Sequence, residues 1–144
     1  MIVPNVLLPV LFTLMLAATY ATDNVMVPDV SNDWRTFEAT AYTANCRGCT
    51  GITKSGIDVR KSPEYNGRIV IAVDPRVIPL GAAVEIRLAD GTIIEGTAQD
   101  TGGAIKGRKI DILHDSRSTA IEFGRQTVDL RIVNKNKSEG DVGE

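Results

Sequence analysis

The sequence predicts a mainly β fold, a small barrel of six short strands with one helix. Apolar and polar residues alternate over short runs along most of the chain, the period of a half-buried strand. Thirteen glycines and six prolines punctuate these runs into turns. Only one segment carries both a helix start and a helix stop. A doubly wound sheet would need a helix after nearly every strand, so the pattern suits a barrel better.

Taken in order, Thr36 to Thr43 alternates around Phe37, Ala39 and Ala41. Arg68 to Val73 sets Ile69, Ile71 and Val73 on one face. Ala83 to Leu88 turns Val84, Ile86 and Leu88 inward and leaves Glu85 and Arg87 outward. Asp90-Gly91 is a hairpin signal, leading into Thr92 to Ala98. Lys109 to Leu113 is the fifth strand. Thr127 to Val133 is the sixth, with Val128, Leu130 and Ile132 on one face. Between these two, Ser116 can cap a helix whose Ala120 and Phe123 face inward and which Gly124 ends.

At 144 residues the chain suffices for one domain with a hydrophobic core. Sixteen basic against eighteen acidic side chains give a net charge of −2, which offers nucleic acid no electrostatic footprint. Aromatics at 5% are too few for a surface of stacked bases.

Residues 1–21 hold an uncharged apolar run, Val6 to Ala18, followed by small residues through Ala21. This reads as a secretory signal peptide with a mature start near Thr22, or as an N-terminal anchor if it is not cleaved. Lys and Arg are missing ahead of the run, and Pro4 and Pro9 interrupt it. Residues 22–33 read as a linker, 34–133 as the folded domain and 134–144 as a disordered tail. Export is therefore expected, with membrane association only if the first segment stays attached.

Cys46 and Cys49 fit export as a disulfide closing a tight loop around Arg47-Gly48. A zinc site would need two more ligands, and the sole histidine is the distant His114. A redox pair would open a helix after a strand, whereas Gly51 and Gly56 follow here. No metal or cofactor is expected.

Three aspartates draw attention. Asp74 precedes Pro75, Asp100 begins Asp100-Thr101-Gly102-Gly103, and Asp111 interrupts the apolar run Ile110-Asp111-Ile112. Alternation points Asp111 away from the face of its two isoleucine neighbours. Aspartate is depleted in strands. The plain alternative makes Asp74 and Asp100 turn formers and Asp111 a solvated side chain. Other motifs fit less well. Asp100-Thr101-Gly102 is the tripeptide of pepsin-like proteases, but they need two carboxylates sharing a proton, and Gln99 stands where an apolar residue precedes it. Gly102 to Gly107 lacks the spacing of a phosphate loop. A serine triad would have to use His114, on the opposite strand face from Asp111.

The stretch Ala98-Gln99-Asp100-Thr101-Gly102-Gly103-Ala104-Ile105-Lys106-Gly107-Arg108-Lys109-Ile110-Asp111 closely resembles the signature of the 3D, or three-aspartate, domain. Ala72-Val73-Asp74-Pro75 with Ile78-Pro79-Leu80-Gly81 is similar to the segment holding that family's first aspartate. Ala41-Tyr42, the two cysteines, Gly51 and Thr53-Lys54-Ser55-Gly56 resemble its opening. Ser116, Ala120, Phe123-Gly124 and Val128 resemble its close. The likeness runs from about Phe37 to Val133, in order.

The family resembles the C-terminal part of the membrane-bound lytic transglycosylase A enzymes. The resemblance implies a six-stranded double-psi β-barrel. It also implies cleavage of the β-1,4 bond between N-acetylmuramic acid and N-acetylglucosamine in peptidoglycan, with formation of a 1,6-anhydro ring. Asp111 is then the acid–base catalyst, and Asp74 and Asp100 are the other signature aspartates. Gly102 and Gly103 would let backbone N–H groups approach the glycan. Tyr42 would stack on a sugar or fill the core. Thr53 and Ser55 would bond hydroxyls or shape a turn, and Lys106 would meet a peptide carboxylate or remain solvated. Trp34 lies outside the likeness and reads as packing. Two alternatives stay open: a true hydrolase of the same bond, and a non-catalytic wall-binding or wall-loosening module, since double-psi barrels also occur in expansin-like proteins.

Overall fold

Alternate residues of six strands turn Phe37, Ala39, Ile71, Val84, Ile86, Ala98, Ile110, Ile112, Val128 and Leu130 into one shared interior. The computed structural model that shows this describes residues 33–133. The readings of a signal or anchor, of most of the linker and of the tail fall outside the described residues. The elements run β1 (Arg35–Thr43), β2 (Glu64–Tyr65), β3 (Arg68–Ala72), β4 (Ala83–Arg87), β5 (Ile93–Asp100), β6 (Lys109–His114), α1 (Arg117–Phe123) and β7 (Gln126–Val133). The six longer strands are those expected from the alternation, each within about two residues of its expected bounds.

Neighbouring strands follow the order β3-β5-β4-β7-β1-β6, and β6 pairs back onto β3 to close the ring. Two pairings are parallel, β1 with β6 and β3 with β5. The others around the ring are antiparallel. A parallel pair cannot be joined by a tight turn, so the chain crosses over the barrel twice; this is the double-psi arrangement. Closure also removes the exposed edges of an open sheet.

The seventh strand, β2, is additional to those the alternation predicts. It is two residues long and hangs on β3 through a hairpin at Asn66-Gly67, both with positive φ (52° and 73°). Two residues have no period to read. The Asn-Gly pair is nevertheless a usable hairpin signal. The hairpin expected at Asp90-Gly91 does join β4 to β5; Asp90 Oδ1 accepts from Thr92 N at 2.8 Å. Helix α1 is capped as expected. Ser116 Oγ accepts from Thr119 N at 3.3 Å, and Gly124 N donates to Ala120 O at 3.1 Å.

A second, smaller apolar cluster lies on the outer side of the barrel wall. Val59 covers Val70 of β3 and Leu113 of β6, with Tyr42, Ala44 and Ile57 packed around them. The segment between β1 and β2 thus lies on the barrel face that carries β3, β6 and the end of β1. It is the cover of the site described next.

Candidate functional site

Register decides which side chains meet. Ala72 of β3 pairs with Asp111 of β6 on one side and with Asp100 of β5 on the other. Asp111 in turn pairs with Thr40 of β1. Paired residues project to the same face, so Asp100, Ala72, Asp111 and Thr40 form one row across four strands. The two aspartates are two strands apart, roughly 10 Å between backbones. Between them stands the small side chain of Ala72, itself buried. Asp100 reaches this row because the β3–β5 register shifts between Ile71 and Ala72. Gln99 is the extra residue of that bulge, buried and bonded through Nε2 to Thr97 Oγ1 at 2.8 Å. Without the bulge, Gln99 would face Ala72 instead.

The two carboxylates have different surroundings. Asp100 is held by three donors: Tyr42 Oη to Oδ2 at 3.0 Å, and the Lys54 and Thr101 amides to Oδ1 at 3.0 and 2.9 Å. Asp111 takes one, from Thr40 Oγ1 to Oδ1 at 2.9 Å. Among the described residues nothing donates to its Oδ2. Burial, with the charge of Asp100 adding to it, raises the Asp111 pKa above the usual aspartate value, against the opposing Thr40 bond and His114. Burial and the nearby Asp100 also push the Tyr42 phenol upward, so it remains a donor.

The third aspartate stands apart from this row. Asp74 is 2% exposed, and its carboxylate accepts from Arg76 N, Nε and Nη2 at 3.0, 3.0 and 2.8 Å and from Gly107 N at 2.8 Å. These bonds, the Arg76 guanidinium first, hold its pKa well below the ordinary range. Asp74 therefore ties the turn after β3 to the loop between β5 and β6. Its contribution to stability is complete above the unfolded-state pKa of about 3.9 and is lost as pH falls through the lowered folded value. We expect the wild-type urea midpoint to decline between about pH 5 and pH 2. Asp74→Ala, less stable at neutral pH, should decline less steeply; equal slopes would show that the clamp adds nothing.

The other expected residues divide between turn and surface. Thr53 is buried, its Oγ1 accepting from Ile57 N at 3.1 Å, so its hydroxyl shapes a turn. That turn presents the Lys54 amide to Asp100. Ser55 is exposed and donates its amide to Gln99 O at 3.1 Å. A side chain at Gly102 would press within 2.9 Å of Ile105, so this glycine permits a close approach inside the loop. Gly103 and Lys106 are exposed at the loop surface. The Tyr42 ring packs in the outer cluster, leaving its hydroxyl on Asp100. His114 makes no hydrogen bond to Asp111; its ring lies 5.2 Å from that of Phe123, and its buried Nε2 has no partner among the described residues. The guanidiniums of Arg87 in β4 and Arg131 in β7 lie over the Trp34 ring, at 4.4 and 4.6 Å from its centre.

Sequence reasoning missed Thr40 and Ala72. Thr40 was visible as an outward residue, two positions before Tyr42 on the same strand face. Its partner was not, because the β1–β6 pairing spans about seventy residues.

Cys46 and Cys49 form a disulfide, Cα to Cα 5.1 Å, at the lip of a cleft of about 190 Å³ that Tyr42, Gly51, Val59 and Asp100 also line. Asp111, two strands away in the row, is not part of that lining. For so short a loop the cross-link should contribute about 2 kcal/mol. Replacing both cysteines by serine should lower urea stability by that amount; no change would mean that the outer cluster alone holds the segment. Among the described residues no group of three His, Cys, Asp or Glu side chains is placed to hold a metal ion.

Residues 69–134 match the family model of the 3D domain. The cell wall-binding protein YocH of Bacillus subtilis is 50% identical over 99 residues, 69% of this chain and 32% of that protein. The chain spans between 23% and 38% of the lengths of three such Bacillus subtilis relatives. A Clavibacter michiganensis expansin structure has a TM-score of 0.52 at 15% identity, covering 71% of this chain and 51% of its own. Escherichia coli MltA has 0.47 at 20% identity, covering 58% and 27%. The chain carries a 3D domain on a double-psi barrel, and Asp74, Asp100 and Asp111 all fall within the matched segment.

Proposed function

We propose that this protein is a peptidoglycan lytic transglycosylase acting at the cell wall, with Asp111 as its only acid–base group. The observation that carries the reading is the unequal treatment of the two carboxylates in one row. Asp100 is occupied by three donors, whereas Asp111 keeps Oδ2 open and is pushed toward its protonated form.

In the proposed reaction the Asp111 proton passes to the glycosidic oxygen as the bond to the anomeric carbon breaks. The C6 hydroxyl oxygen of the same sugar attacks that carbon, and its proton goes to the Asp111 carboxylate. The acid is restored and no water is consumed. An intramolecular nucleophile needs no second carboxylate as base or covalent partner. A hydrolase would need one. The donors on Asp100 suit it to orienting Tyr42 and the Lys54 turn instead. Thr40 fixes Oδ1 of Asp111 and so leaves Oδ2 for the proton. Asp74, outside the row, supports the loop that carries Gly102 and Gly103.

Digestion of purified peptidoglycan tests this reading. Muropeptides ending in 1,6-anhydromuramic acid, each one water lighter than the hydrolysis product, are expected. Reducing ends would point to a hydrolase. Binding without any release would favour the wall-binding module that the name of YocH suggests.

A further inference from the structure

A second cleft, of about 590 Å³, lies on the other side of Tyr42 and Thr43, between the disulfide loop and α1. Its rim carries two arginines, Arg47 from the loop and Arg117 from the helix. Both are exposed, and among the described residues neither has a carboxylate partner. Asp115 is the only acid in the described lining, and it already accepts from Thr119 Oγ1 at 2.8 Å. The lining is therefore net positive by one charge. Its lining also includes Ala120 and Ile121, the latter 68% exposed. An isoleucine so exposed beside unpaired guanidiniums suits a ligand that offers small apolar groups and carboxylates in alternation.

Building on the reading of this protein as a peptidoglycan-acting one, we propose that this cleft binds the peptide stem of the wall polymer. A stem is a short chain of alanine methyl groups and free carboxylates branching from the muramic acid. Arginine pairs with carboxylates in two-pronged fashion, and its flat guanidinium loses little freedom in doing so. The location is suitable as well. Thr43 lies three residues along β1 from Thr40, the partner of Asp111, which is roughly 10 Å. Tyr42 and Thr43 wall both this cleft and the one beside Asp100. A glycan crossing the aspartate row would so direct its stem toward Arg47 and Arg117. The enzyme would then read substituted strands in preference to bare ones.

The test is binding, measured apart from cleavage. Glycan strands freed of teichoic acid are prepared with their stems intact, or stripped of them by an amidase. Their affinities for the whole protein are compared by calorimetry at low salt. We expect wild type to prefer stem-bearing strands about tenfold, the ~1.4 kcal/mol scale of a charge-assisted bond. Arg47→Ala with Arg117→Ala should bring the ratio near one, and the paired Arg→Lys variant should keep part of it. Circular dichroism checks that the variants fold. Equal wild-type affinity for both strands, binding to neither, or a preference that survives the double alanine variant would each overturn the proposal. So would a preference seen only when teichoic acid is present. If the ratio behaves as expected but no anhydro product forms, the catalytic reading fails and the stem site stands. If anhydro products form without any preference, the stem site alone fails.

Discussion

Asp111→Asn is expected to abolish release of 1,6-anhydromuramyl products while the barrel stays folded. Asparagine keeps the shape of aspartate and can still accept the 2.9 Å bond from Thr40. It has no acidic proton to give and no carboxylate to take one back. General acid–base catalysis is worth about 10²- to 10⁴-fold. One group serving both half-steps should cost at least the upper part of that range when removed. Little stability should be lost, because the substitution takes a half-buried charge out of a site that disfavours it. The assay is product release by mass spectrometry, with circular dichroism and a urea midpoint on the same sample. Wild-type release from folded Asp111→Asn would place the catalyst elsewhere. A solvated strand aspartate, the plain reading of this residue, predicts just that outcome.

Asp100→Asn should act through the pH profile. A general acid works while protonated, so kcat/KM falls as pH rises through the Asp111 pKa. Burial and the Asp100 charge set that pKa above the usual aspartate value of about 3.9. Taking the Asp100 charge away lowers it, and the alkaline limb moves toward acid. On that limb the protonated fraction falls in proportion to the acid dissociation constant, so a loss of kcat/KM is expected near neutral pH. At the acidic plateau the loss should be smaller. Tyr42→Phe removes one bond to Asp100 but keeps its charge, so the limb should stay in place. A limb unmoved in Asp100→Asn, with equal loss at every pH, would reduce Asp100 to an architectural residue.

The local elements were legible because local chemistry decides them. Ile69, Ile71 and Val73 alternate, and a strand with one buried face can place them in only one way. Ser116 and Gly124 bound a helix because each supplies the cap that the backbone lacks there. Asp111 was visible as an acid facing away from its isoleucine neighbours, and the residues from Ala98 to Asp111 announced the family. What lay between the elements was harder to read. Asp74 and Asp100 looked equivalent in the sequence, as aspartates at strand ends. The fold sends the first to Arg76 and Gly107 and the second to Tyr42 and Lys54. Tyr42 could have stacked on a sugar or filled a core; in the fold its ring packs while its hydroxyl binds an acid.

By itself, then, the sequence determined the strand faces, the helix ends, the closely spaced cysteine pair and the family signature, since each depends on residues only a few positions apart. The tertiary structure alone decided which acids share a face. That depended on the β1–β6 and β3–β6 pairings and on one extra residue, Gln99, in β5. Register has a period of two, so a single inserted residue moves a side chain to the other face of the wall. Alternation within one strand carries no record of its partner's register. The row of Asp100, Ala72, Asp111 and Thr40 exists only once the barrel has closed.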